Sequence, residues 1–97
     1  MSISVVIPAL NEAGNIGRLV EETYAAIPPE RLVEVIVVDD HSPDATSDVV
    51  RDVAKTDSRV HLIRHDVNGG VGKAISTGYI WCRDNDIDIA VVMAGDA

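Results

Sequence analysis

Phenylalanine is absent from this 97-residue chain, and one Trp and two Tyr are its only aromatic residues. Without large rings, a core has to be assembled from Val, Ile, Leu and Ala, which supply most of the 46% hydrophobic content. Cysteine is nearly absent too. Cys82 alone excludes an internal disulfide, and its place in a helical stretch suits a small buried hydrophobe. Basic residues are scarce, eight against sixteen acidic, for a formal net charge of −8. That balance excludes nucleic acid as a partner, because phosphate binding needs a basic footprint. Acids gathered at one spot could hold a divalent cation, although a solvated acidic surface is the more ordinary account of the overall charge. Long apolar runs are missing. No stretch approaches the roughly 20 residues of a membrane span, and "MSISVVIP" lacks the basic segment and apolar run of a signal peptide. A cytoplasmic, soluble chain is expected, one domain at most and of modest stability.

What is present is a regular alternation. Four short β-branched runs, "ISVVI" (3–7), "VEVIVV" (33–38), "VHLI" (60–63) and "IDIAVVM" (87–93), read as buried parallel strands. Between them lie three stretches with helical spacing. Ile16, Leu19, Val20, Thr23 and Ile27 share one face before Pro28 and Pro29 stop the helix. Val49, Val50, Val53 and Ala54 make a second stripe, and Val71, Ala74, Ile75 and Gly78 a third. The order β-α-β-α-β-α-β predicts an α/β fold, a Rossmann-like parallel sheet sandwiched by helices, with right-handed crossovers. Trp81 and Tyr79 are expected to pack from the third helix.

Ligands of such sheets sit beyond the carboxyl ends of the strands. Carboxylates lie close to these strand ends. Asn11 and Glu12 follow the first strand, where Asn11 can cap a helix and Glu12 favour its positive end. Glu12 can also accept a hydrogen bond from a ligand hydroxyl such as a ribose, and the two roles are compatible. In "VVDDHSPDAT", Ser42 reads as a helix cap, Pro43 as the first helical residue and Asp44 as part of the first turn. That reading leaves Asp39 and Asp40 unexplained. Adjacent carboxylates repel and need donors or a cation, and one held at a strand tip suits a nucleobase N–H.

"NGGVGKAISTG" fails the phosphate-loop pattern, which needs Gly at Val67 and Ser or Thr at Ala74, and the dinucleotide pattern, which needs Gly at Ile75. It still offers backbone N–H groups and Lys73 to an anion, and a tight turn into the third helix explains it equally. His41, His61 and His65 lack metal-ligand spacing.

Taken together, "VVIPALNEAGNI", "VIVVDDHSPDAT", "NGGVGKA" and the terminal "VVMAGDA" resemble family 2 glycosyltransferases, nearest to the polyprenyl-phosphate (dolichol-phosphate) sugar transferase branch, over essentially the whole chain. The resemblance implies the nucleotide-binding half of a GT-A fold, with residues 1–97 as the donor-binding part. It implies that Pro8 and Glu12 line the ribose and base, that Asp40 accepts from the base, and that Asp39 holds the loop. It implies a nucleotide-sugar donor, UDP- or GDP-linked, and a D-x-D motif for Mg²⁺ or Mn²⁺. Here that motif reads Ala94-Gly95-Asp96, so the metal would rest on Asp96, the diphosphate and water.

Family members continue into an acceptor half that carries the catalytic base. No catalytic residue is therefore assigned within these 97 residues, and the chain alone is expected to be inactive. A lipid-phosphate acceptor would engage the missing half, placing a full-length protein at the membrane surface. The uncovered fourth strand is a route to a homo-oligomer. A receiver-like phospho-accepting module is the competing reading, but its acidic pair belongs after the first strand rather than the second. A fragment too short to bind anything is the third.

Overall fold

Alternation along the strands sorts the core into two layers, one on each face of the sheet. The computed structural model describes residues 3–10, 14–28, 30–42, 45–87 and 89–92. Its elements are β1 (Ile3–Ala9), α1 (Ile16–Ala26), β2 (Leu32–Asp39), α2 (Thr46–Thr56), β3 (Val60–Arg64), α3 (Gly70–Asp84) and β4 (Ile89–Val92). The strands form one parallel sheet in the order β3-β2-β1-β4. Val5, Ile7, Ala9, Val35 and Val37 face α1 and α2, burying Ile16, Leu19, Val20 and Val50. Val6, Ile36 and Val38 point the other way and pack with Ala74 and Cys82 of α3. A sheet covered on both faces explains why its strands are nearly continuous in Val and Ile.

Local chemistry fixes the ends of these elements. Ile27 leaves α1 in an extended conformation, φ −119° and ψ 126°, as the residue before a proline prefers. Thr23, fully buried in α1, donates its hydroxyl to Leu19 O at 2.9 Å. Pro8 pairs in register with Val38 of β2, beyond Ile3–Val6, the part of β1 that pairs with β4 as described.

Three expectations are corrected. Helix α2 begins at Thr46, with Ala45 at the cap position, so Ser42 does not cap it; Pro43 and Asp44 lie outside the described residues. Val71, in the first turn of α3, is 64% exposed and takes no part in the inward stripe, which is Ala74, Gly78 and Cys82. Tyr79 is 46% exposed rather than packed. Trp81 is half-buried, its ring 5.4 Å from that of His61. Cys82 is buried as expected, and burial raises its thiol pKa.

At the opposite end from the ligand-facing rim, Tyr24 ties α1 to the end of α2. Its hydroxyl donates to Asp57, and the Arg59 guanidinium lies 4.2 Å from its ring centroid. Burial first, and the Asp57 hydrogen bond and charge next, push the Tyr24 phenol from 10.0 up to about 12. The folded phenol thus keeps its proton where the unfolded one loses it. Stability from this contact is fully present below pH 10 and lost as pH rises towards 12. Urea unfolding at pH 9 and pH 11 should show a loss in the wild type that Tyr24→Phe largely lacks; equal losses in both proteins would contradict this.

Candidate nucleotide site at the strand ends

The adjacent carboxylates at the end of β2 have opposite surroundings. Asp39, the last residue of the strand, is 0% exposed. Its Oδ1 accepts from the Ser42 backbone N–H at 3.0 Å and from the Ser42 hydroxyl, and its Oδ2 from the Ser47 hydroxyl and Arg64 Nη1, the latter at 3.0 Å. Register explains the arginine: Asp39 pairs directly with Arg64 on β3. Burial by itself pushes this carboxyl upward, but the Ser42 and Ser47 hydrogen bonds and the Arg64 charge outweigh it and hold the pKa below its ordinary value. A carboxylate has about four lone-pair positions, and all four of Asp39's are taken. Ser42, read from sequence as a helix cap, is a donor to Asp39 instead.

Asp40 turns the other way, towards the start of α3. It is 4% exposed. Oδ1 accepts from the Gly69 N–H and from His65 Nδ1, and Oδ2 from the Gly70 N–H, all at 2.8 Å. His65 is held from behind, with Nε2 2.9 Å from the Thr77 hydroxyl on α3. The His65 hydrogen bond is the largest influence on Asp40; together with the two glycine N–H groups it overcomes burial and lowers the pKa. Gly70 adopts φ +87°, a conformation that favours glycine. "DD" and "NGG" are therefore two halves of one device: the second carboxylate takes the donors that a helix N-terminus leaves unpaired.

Beside Asp40 lies a cavity of about 120 Å³, lined by Pro8, Ala9 and Leu10 from the end of β1 and by Gly70, Val71 and Ala74 from α3. Asp40 is the only charged residue among those described on its wall. Lys73, one turn into α3, is exposed, and its stem lies so close to Gly69 that a Cβ there would sit 2.1 Å from Lys73 Cδ. Its ammonium makes no ion pair with a described residue and faces solvent at the same rim.

The structure thus brings Pro8, Asp40 and the start of α3 around one cavity, with Asp39 behind them. Glu12, Asn11 and Asp96 lie outside the described residues, as does Ala94. Among the described residues, no group of three or more His, Cys, Asp or Glu side chains could hold a metal ion, and no helix is long and apolar enough to cross a membrane. Sequence reasoning gave no role at the site to Arg64, His65, Ser47 or Thr77. The available signal was strand adjacency: once β3 is placed beside β2, "RH" after "VHLI" must lie next to "DD".

The sequence matches Glycosyl transferase family 2 over residues 4–97. It is 31% identical over 96 residues to an undecaprenyl-phosphate mannosyltransferase of Micrococcus luteus, covering 99% of this chain and 38% of the relative. It is 33% identical over 93 residues to a polyprenol monophosphomannose synthase of Mycolicibacterium smegmatis, covering 95% of this chain and 34% of that one. A mannosyltransferase from Pyrobaculum calidifontis, in complex with GDP-Man and Mn²⁺, superimposes with a TM-score of 0.79 at 31% identity, over 98% of this chain and 27% of its own. The chain thus spans about a third of the relatives it matches, and its parallel sheet is the one found in GT-A glycosyltransferases. With nearly its whole length matched and its strand-end carboxylates in place, the chain belongs to glycosyl transferase family 2.

Proposed function

We propose that residues 1–97 form the donor-binding part of a glycosyltransferase that moves a sugar from a nucleotide-diphospho-sugar to a polyprenyl phosphate at the membrane surface. The observation that carries this reading is Asp40: a buried carboxylate on the wall of an apolar cavity, with one of about four acceptor positions left open by the described residues. A planar base entering the cavity would bury its faces against Pro8, Leu10 and Val71 and donate one N–H to that position. Asp39 does not touch the nucleotide. It fixes the β2–α2 turn, so that Asp40 has one orientation only. Glu12 takes the ribose hydroxyls. Lys73 and the N–H groups at the start of α3 suit the diphosphate, whose negative charge is favoured at a helix N-terminus.

Asp96 is the residue this reading gives to a divalent metal. It offers a single carboxylate, since Ala94 stands at the first acidic position, and Mg²⁺ in phosphate sites keeps several waters and few carboxylates. Asp39 does not serve in its place, because protein donors fill all four of its acceptor positions, and the position open on Asp40 is the one this reading gives to the base. Such a metal, when bound, neutralises charge on the departing nucleotide. The groups that activate the acceptor are assigned to parts of the protein other than these residues.

Calorimetric titration of the purified chain with UDP and with GDP, each with and without Mn²⁺, tests the reading. Saturable binding of at least one nucleotide, strengthened by metal, is expected. Asp40→Asn should abolish it, because an amide NH₂ would face the donors of Gly69, Gly70 and His65. No binding of either nucleotide by a chain that still melts cooperatively would overturn the proposal.

A further inference from the structure

We infer that Asn68 is a positioning residue of the nucleotide site: its side-chain amide holds the turn after β2 in a left-handed conformation that His41 would not keep unaided. The effect on binding rests on the nucleotide-site reading above, whereas the effect on the turn does not. Neither Asn68 nor His41 is among the residues that line the cavity.

His41 is exposed, lies between the buried residues Asp40 and Ser42, and has φ +61°. A residue with a Cβ seldom takes this conformation, and one that does is held there by its surroundings. Backbone pairing carries the strand as far as Asp40, whose N–H donates to Ala9 O at 2.9 Å. With His41 left-handed the chain folds back, and the Ser42 N–H meets Asp39 Oδ1 at 3.0 Å. The setting of both carboxylates thus depends on a dihedral angle that its own residue disfavours.

The loop after β3 supplies the hold. With its amide turned to suit its neighbours, Asn68 Nδ2 donates to Asp40 O at 3.1 Å and to His41 O at 3.3 Å. An amide NH₂ has two N–H groups, one for each carbonyl. Those carbonyls belong to the peptide units on either side of the His41 Cα. In an extended chain they would point to opposite sides, so one amide reaches both only while the chain is turned at His41. His41 Nδ1, 3.3 Å from His65 O, is a second link between the same two loops. Gly69 and Gly70, which follow Asn68 directly, donate to the Asp40 carboxylate. One short segment therefore grips Asp40 by its backbone carbonyl and by its side chain.

The test compares the wild type, Asn68→Ala, His41→Gly and the double variant by amide hydrogen exchange and by titration with UDP and with GDP, each with Mn²⁺. In Asn68→Ala the Ser42 and Gly70 amides should exchange about tenfold faster, the scale of two modest hydrogen bonds. Whichever nucleotide binds the wild type should bind Asn68→Ala about tenfold more weakly, at a temperature where the variant is fully folded. Glycine takes the left-handed conformation without steric penalty. In the His41→Gly background the same Asn68→Ala change should therefore cost less than about threefold in both readouts. A role in general stability alone would give equal losses in the two backgrounds, and that result, or unchanged exchange at Ser42 and Gly70, would overturn the inference. Binding of neither nucleotide by the wild type would overturn the nucleotide-site reading instead, while the exchange rates would still decide whether Asn68 holds the turn.

Discussion

Replacing Asp39 by alanine is expected to lower the unfolding free energy by about 3 kcal/mol or more, the scale for removing one partner of a buried, charged network. Four hydrogen bonds converge on this side chain, and their donors come from the β2–α2 turn, α2 and β3. Alanine would leave the Ser42 and Ser47 hydroxyls beside a void. Arg64, about one-third exposed, would keep part of its hydration, which is why the estimate stays at the low end of that range. For a domain of this size the loss corresponds to a fall in Tm of roughly 12–24 °C. Thermal melts of wild type and Asp39→Ala measure it; a change below about 1 kcal/mol would show that the network does not hold the turn.

The same network predicts an acid limb. Asp39 and Asp40 are held below their ordinary pKa when folded, so their contribution is present above the unfolded value near 4 and lost as pH falls through the depressed ones. Stability should decline more steeply below about pH 4 in wild type than in Asp39→Ala.

The sheet and its three helices were legible because their signals are local: β-branched runs too short for helices, and apolar stripes with a period near 3.6. Where the reading failed, a tertiary contact had claimed the local signal. Ser42-Pro43-Asp44 has the composition of a helix start, but the Ser42 hydroxyl and N–H are committed to Asp39, and α2 begins four residues later. Val71 fits the stripe of α3 by spacing, but in the first turn it is exposed and lines the cavity instead.

The paired carboxylates were legible as an anomaly, since two adjacent acids have no reason to end a buried strand. Their division of labour was not. It depends on donors from 25 to 30 residues further along, namely Arg64, His65, Gly69 and Gly70. The sequence shows these as separate fragments, and only the β2–β3 pairing brings them to one point. The receiver-like reading gives way to the family match over residues 4–97 and to the same geometry, because Asp39 is sealed by protein donors and Asp40 is held by His65, Gly69 and Gly70.

Gly78→Ala is expected to destabilise by about 2 kcal/mol, against the sign that helix propensity gives. In an exposed helix interior, alanine is favoured over glycine by about 1 kcal/mol. Here α3 lies directly on β1, and a Cβ on Gly78 would stand 2.3 Å from Val6 Cγ1 and 2.9 Å from Val6 Cγ2. Val6 is fully buried in the sheet centre and has no room to move. The helix must shift outward, and overpacking of this kind costs about 1–3 kcal/mol.

If the clash is the cause, Val6→Ala removes both offending methyl groups and should rescue it. The double variant should then lose at least about 1 kcal/mol less than the sum of the two single ones. Stabilisation by Gly78→Ala alone would mean that α3 does not sit this close. The consequence reaches the site as well, because the same helix carries Gly70, Val71 and Ala74 on the cavity wall and Thr77 behind His65. An outward shift would open the cavity and slacken the hold on Asp40. Gly78→Ala should therefore weaken nucleotide binding even at a temperature where it is fully folded, whereas a destabilising change on the α1–α2 face, such as Val50→Ala, should not.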